Sequence, residues 1–490
     1  MLLPFLFAAS LAFQDAKAAA PEAAPANTLA DVAQDVSDKT AQEAVAWAHF
    51  LGNGCKGAAD CFGTTEHGEA GLLLGGAIET AVKTAVDGLA GKKGKIKLND
   101  AAEGPVVKVG EAGVTLTVNK AETLVTWADV DPKALAVLVS RAKSTADNDV
   151  AAVAMLRLLA GDVGDAKKQS TKLTSDAGKK LGEMVEASKA LLPELKSARA
   201  LESALRDPDA ARALDKLKAA WNDAKGTKLG DGAKKALHAQ FVLRGEKAYA
   251  GEKALNGLVH GRVKVNPAKA SPAAGAGGVG LEIEYEFEKD SEGADFDAST
   301  LPNFLVSYAK RLGRGAVTFA PFTVKSSRLK PGGFSAGMLP IDFAGDFQVE
   351  LFAGLKEDLQ GGAIGLLQAG FASTDGDVLA AIDQMCQLET TVGGKAGPSA
   401  KKDLGKIGPG SQFTSTLDLK GDKLSVSLNG DATAPVSFST KKPMRFFLLF
   451  AITPDWYIER LIIRGTATGE SMSAMAHVLA EKQATALFGE

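Results

Sequence analysis

Four residues able to hold a metal recur at intervals of six along one stretch: His49, Cys55, Cys61 and His67. Zinc needs four such ligands converging at about 2.0–2.3 Å, and the familiar fingers bring paired cysteines together through much shorter spacings. Even spacing of six does not do this, so no metal is assigned. Two thiols in a glycine-rich loop can instead bond to each other, because the loop bends enough to bring their Cα atoms to bridging distance. In an oxidising compartment a local Cys55–Cys61 disulfide is therefore expected, with Cys386 left as the odd thiol.

Other candidates for chemistry are sparse. His238 and His477 fall on expected helices, and His260 opens a strand at Val259-His-Gly-Arg. None of the histidines lies in a G-x-S-x-G context, so no Ser-His-Asp triad is assigned. Gly275, Gly277 and Gly280 spell G-x-G-x-x-G, but a dinucleotide site requires that motif to follow a strand and open a helix. Here it ends a Pro/Ala/Gly-rich stretch and opens a strand, so it reads as a loop.

These residues must be positioned by the elements around them, and a chain of 490 residues is long enough for several domains. The 56 basic and 59 acidic residues nearly cancel, which excludes a global field for nucleic acid. Phenylalanine dominates the aromatics, 22 against 4 Trp and 4 Tyr, and a ring without a polar handle belongs mostly to core. Residues 2–13 form an apolar run of the length of a signal-peptide core, too short to span a bilayer, and small residues at Ser10, Ala12, Ala16 and Ala18 suit cleavage. We read 1–18 as a signal peptide, 19–28 as an Ala/Pro-rich tether, and the location as secreted or periplasmic, with no membrane span in the mature chain.

Residues 29–91 carry two amphipathic patterns around the cysteine loop and predict a helical hairpin, the first helix capped by Thr28 or Asp31. The period changes over 92–131, where Ile96–Leu98, Val106–Val109, Val114–Val118 and Leu124–Trp127 read as four short antiparallel strands. Asp131-Pro132 restarts helix, Asp as cap and Pro at the first helical position. Residues 132–256 predict a helical array, with a tetratricopeptide-like turn near Gly161 and another helix start at Asp207-Pro208. This block has 23 basic and 16 acidic residues, but the signs interleave, as on a solvated face rather than a nucleic-acid surface. From 257 to 468 strand follows strand. Leu281–Glu288 alternates strictly, Gly421-Asp422 and Asn429-Gly430 mark tight turns, and Arg445–Ile452 is apolar on both faces. Residues 469–490 close the chain as a helix. The fold class is multi-domain α+β: a helical N-terminal half with a small antiparallel β unit, then an antiparallel β-sandwich.

Phe343–Phe352, the hairpin Leu417–Gly430 and the closing strand Trp456–Gly465 resemble, in their order, the concanavalin A-like jelly roll of laminin-G-like and 3-keto-disaccharide hydrolase-like domains. The resemblance covers some two-fifths of the chain and speaks to fold more than to activity. It implies three further expectations. A glycan or another envelope component is the ligand to look for, with Trp456 and Tyr457, placed in a turn before the last strand, as candidate contacts. Retaining glycanases on this fold carry alternating carboxylates on one strand, so Glu282, Glu284 and Glu286 form the alternative, catalytic reading. This row departs from that pattern: it lies early in the domain, its central residue is Glu rather than Asp, and no Trp flanks it. Structural calcium is possible at the loop carboxylates Asp290, Asp295, Asp297, Asp375 and Asp377, although none has EF-hand spacing. A non-enzymatic binding or structural protein, its helical region a scaffold or partner surface, is the reading these residues favour.

Overall fold

The computed structural model describes residues 28–63, 68–89, 95–266, 271–296, 301, 319–356, 366–375, 378–383, 387–393, 395–401, 410–451 and 456–489. The described residues divide into two compact units: Tyr249–Glu481 forms one, and residues 28–248, with those from Lys482 on, form the other. The N-terminal half is helical with a four-stranded antiparallel sheet, and the C-terminal half is built of antiparallel strands. The signal-peptide segment and His67, Cys386, Asp297 and Asp377 lie outside the described residues. Among those described, no helix is long and apolar enough to cross a membrane.

In the helical unit, Thr28 caps only one turn, Leu29–Val32. The expected long helix starts again at Asp38, whose carboxylate accepts from the Thr40 and Ala41 amides and opens Lys39–Gly52. Trp47, Phe50 and Phe62 are fully buried and pack ring to ring, Trp47 and Phe62 with centroids 4.6 Å apart. The strands Lys95–Asn99, Ala102–Val109, Gly113–Val118 and Ala121–Thr126 pair in sequence order, as turns of two or three residues dictate. Asp131 then caps Pro132–Ser140, accepting from the Lys133 amide at 2.9 Å. The second Asp-Pro behaves differently: Asp209 caps Ala210–Ala224, while Asp207 ends the preceding helix and pairs with Arg212 at 2.6 Å.

The expected disulfide is overturned. Cys55 and Cys61 are free thiols, not within bonding distance. The loop is not slack enough to bring them together. Cys55 is buried in a left-handed conformation (φ 58°), and Cys61 rides on the short helix Ala58–Phe62. That helix is pinned where the Ala58 amide donates to Glu79 Oε2 at 3.0 Å. Burial pushes the Cys61 thiol up to about 11 and that of Cys55 further. The loop therefore lends no support to an oxidising compartment.

In the other unit, one sheet runs in the order Lys423–Leu428, Gln412–Lys420, Phe343–Leu355, Trp456–Ala467, Val279–Tyr285, Arg262–Val265, with short strands added at its margins. The second runs Lys395–Ala396, Gln387–Val392, Val378–Asp383, Leu366–Ala372, Arg445–Ala451, Ser335–Met338. Period-two alternation turns Ile283, Val349, Leu351, Leu417, Ile463, Phe371 and Phe446 into one shared core. Asn429 and Gly430 both adopt positive φ (48° and 89°), the tight hairpin turn their sequence predicts. Arg445–Ala451 is buried on both sides: Phe446, Leu448 and Phe450 enter the main core, while Phe447 and Leu449 join a second cluster with Leu301, Met338 and Leu379.

Candidate functional site

The larger sheet turns its other face to a set of charged and polar side chains that four strands place in register. Arg262 stands opposite Glu284 and Lys264 opposite Glu282; Arg464 flanks Glu282 from the other side, with Gln348 beyond it. Lys264 Nζ lies 2.7 Å from Glu282 Oε1, and Arg464 Nε donates to Glu282 Oε2 at 2.6 Å. Arg464 Nη1 also donates to Gln348 Oε1 at 2.7 Å and to Glu350. Arg460 grips Glu284 through Nε at 2.9 Å and through Nη2, and its guanidinium lies 5.4 Å from the Phe352 ring centroid. At one end Arg328 donates to Glu459 at 2.7 Å and covers the Tyr457 ring at 4.1 Å. Threonines 414 and 416 and serines 425 and 427, all half-buried, continue the same face on the two strands beyond.

This pairing sets the chemistry of the acidic row. Hydrogen bonds from Lys264 and then Arg464 hold the Glu282 carboxyl below its ordinary range, and Arg460 does the same for Glu284 against the opposing effect of burial. A glycosidase acid needs the reverse shift, so that it carries a proton to the leaving oxygen. Glu286 lies past the strand end, exposed, followed by Phe287 at φ 53°. The row is thus two paired carboxylates and one outlier rather than three equivalent groups.

Trp456 and Tyr457 are not in a turn but begin the last strand. Trp456 is 0 % exposed, edge-on to Phe413, and presents no face to a ligand; Tyr457 is buried beneath Arg328. Two of the loop carboxylates have protein donors: Lys442 pairs with Asp375, and Asp295 accepts from the His260 amide at 2.8 Å, its ring Nδ1 at 2.5 Å and the Tyr285 hydroxyl at 2.9 Å. Burial raises the Asp295 carboxyl, with His260 opposing that rise. Among the described residues no cluster of His, Cys, Asp or Glu could hold a metal ion.

Sequence reasoning missed the cations that pair with the row. Arg460 and Arg464 were visible in Ile458-Glu-Arg-Leu-Ile-Ile-Arg464, but nothing local assigns them to the face of Glu282 and Glu284.

No protein-family model matches the sequence, and no curated protein is similar to it. Solved structures similar to part of the chain include a Bacillus licheniformis beta-glucanase at 13% identity, covering 38% of this chain and 97% of that one, with a TM-score of 0.27. SCLam, a non-specific endo-beta-1,3(4)-glucanase, shares 12% identity over 44% of this chain and 99% of its own, with a TM-score of 0.29. The Emp46p carbohydrate recognition domain shares 12% over 29% and 84%, with a TM-score of 0.23. Likeness at these scores carries no argument about activity, and the sandwich is established by its own strand order.

Proposed function

We propose that this is an exported, non-enzymatic binding protein whose sandwich holds a glycan of the cell envelope or its surroundings on the outer face of the larger sheet. The helical unit serves as scaffold or partner surface. One observation carries the reading: polar groups fixed across four strands, Lys264–Glu282–Arg464–Gln348 and Arg460–Glu284, on a sheet face flanked by hydroxyl side chains. Polyhydroxylated ligands are recognised by such preset donors and acceptors on rigid elements. Glu282 and Glu284, two of the three carboxylates of the catalytic alternative, are kept ionised by their partners, which supports binding without hydrolysis. Export rests on the apolar run at residues 2–13. Glycan-array binding by the full chain, with reducing-end release followed on every glycan retained, tests the reading. Binding without release is expected; release that Glu282→Gln and Glu284→Gln abolish would replace it with the hydrolase reading.

A further inference from the structure

The ion pairs on this face are layered, with carboxylates beneath and cations above. Glu284 is 5 % exposed, while the side chains it pairs with, Arg262 and Arg460, are 65 % and 43 % exposed. Glu282 is 25 % exposed beneath Lys264 at 52 %. A ligand approaching the sheet therefore meets guanidinium and ammonium groups first.

The guanidinium groups also keep donors for it. Arg460 gives Nε and Nη2 to Glu284 and retains Nη1. Arg464 gives Nε to Glu282 and Nη1 to Gln348 and Glu350, and retains Nη2. Arg262 reaches Glu284 only at 3.8 Å, through Nη2, and so keeps its donors. The carboxylates beneath orient these groups without covering their outward N–H bonds. Charge-assisted donors of this kind bind the oxygens of carboxylate, phosphate and sulfate groups.

The spacing suits a chain rather than a single ion. Arg262 and Lys264 follow each other along one strand at about 7 Å, and Arg460 and Arg464 stand two strands away, about 10 Å across the sheet. Resting on the glycan-binding reading above, we infer that the ligand is an acidic polysaccharide, with carboxylate or sulfate groups repeated along its length, lying across Arg262, Lys264, Arg460 and Arg464.

The test uses the full chain against an immobilised polyuronate, a sulfated glycan, a neutral β-glucan and duplex DNA at several salt concentrations. The polyuronate, the sulfated glycan or both are expected to bind, and which of them does identifies the acidic group. Affinity should fall steeply as salt rises. Arg262→Gln with Lys264→Gln, two exposed side chains whose loss leaves the core intact, should lower it between about tenfold and a hundredfold, since each lost charge-assisted contact is worth up to about tenfold. Thermal melting of the variant confirms that it is folded. Binding of the neutral glucan alone overturns the acidic assignment and leaves the glycan reading standing. Binding of no glycan overturns both. DNA binding equal to that of the acidic glycans shows a general polyanion surface and overturns the assignment to glycan. An unchanged affinity in the folded double variant removes these residues from the site.

Discussion

The two sheets of the sandwich share a core but differ on their second faces. The smaller sheet carries another apolar cluster there, Met338, Leu379, Phe447 and Leu449, buried as deeply as the core itself. The larger carries paired charges, with Ile462 alone among the outward residues of its Arg460–Arg464 segment fully buried between the arginines. The difference is one of purpose in the physics. An apolar second face is held by area removed from water and carries no group that titrates. A charged one gains little stability but fixes donors and acceptors in place, where pH, salt and ligands act on them.

The comparison can be broken most severely on the apolar side. Phe447→Ala empties a fully enclosed ring site and should cost about 3–5 kcal/mol in denaturant unfolding. A loss below about 1 kcal/mol would show that this face is not a true core. On the charged side, Arg460→Ala leaves Glu284 buried with only Arg262 and Lys264 at the edge of reach. We expect about 1–2 kcal/mol, a loss that Glu284→Gln in the same chain largely restores, because the cost lies in the unpaired charge. Acid sharpens the contrast further. Glu282 and Glu284 titrate below the ordinary glutamate value of 4.5 in the folded protein. Their contribution is therefore present above that value and is lost as pH falls through the lower folded one. The stability lost in Arg464→Gln should shrink as pH falls through the glutamate range, whereas the loss in Leu449→Val should be the same at every pH, as followed by denaturant unfolding at several pH values. Smallest of all, Arg262→Ala should change stability by about 0.5 kcal/mol or less, since that side chain is mostly in water.

Much of this architecture is written in local pattern. Strict alternation over Leu281–Tyr285 separates the core residues from Glu282 and Glu284, and the apolar run Arg445–Ala451 announces a strand buried on both sides. The site was harder to read for a definite reason. Counting by twos from Trp456 and Ile458 puts Arg460, Ile462 and Arg464 inside. A bulge opposite Phe352/Ala353 adds one residue to the last strand, so Leu461 and Ile463 face the core and the arginines face out. The same parity turns Trp456 inward, against its expected exposure in a turn. His260 and Asp295 are 35 residues apart, so no local pattern pairs them; the ring of Tyr285, whose hydroxyl also donates to Asp295, lies against Gly261, where a Cβ would come within 2.7 Å of it. Cysteine spacing misled for the opposite reason: glycine permits the loop to close, but the helix Ala58–Phe62 and its bond to Glu79 decide that it does not.

The central claim is that the exposed cations of the larger sheet receive an acidic glycan that the carboxylates beneath do not cleave. Covalent footprinting of lysine and arginine side chains, read by mass spectrometry with and without a polyuronate or sulfated glycan, tests this at the residues themselves. Protection of Arg262, Lys264, Arg460 and Arg464, with the glycan recovered at its original length, is the predicted result. Unchanged reactivity at these four positions while the glycan is bound, or recovery of shortened chains, would contradict it.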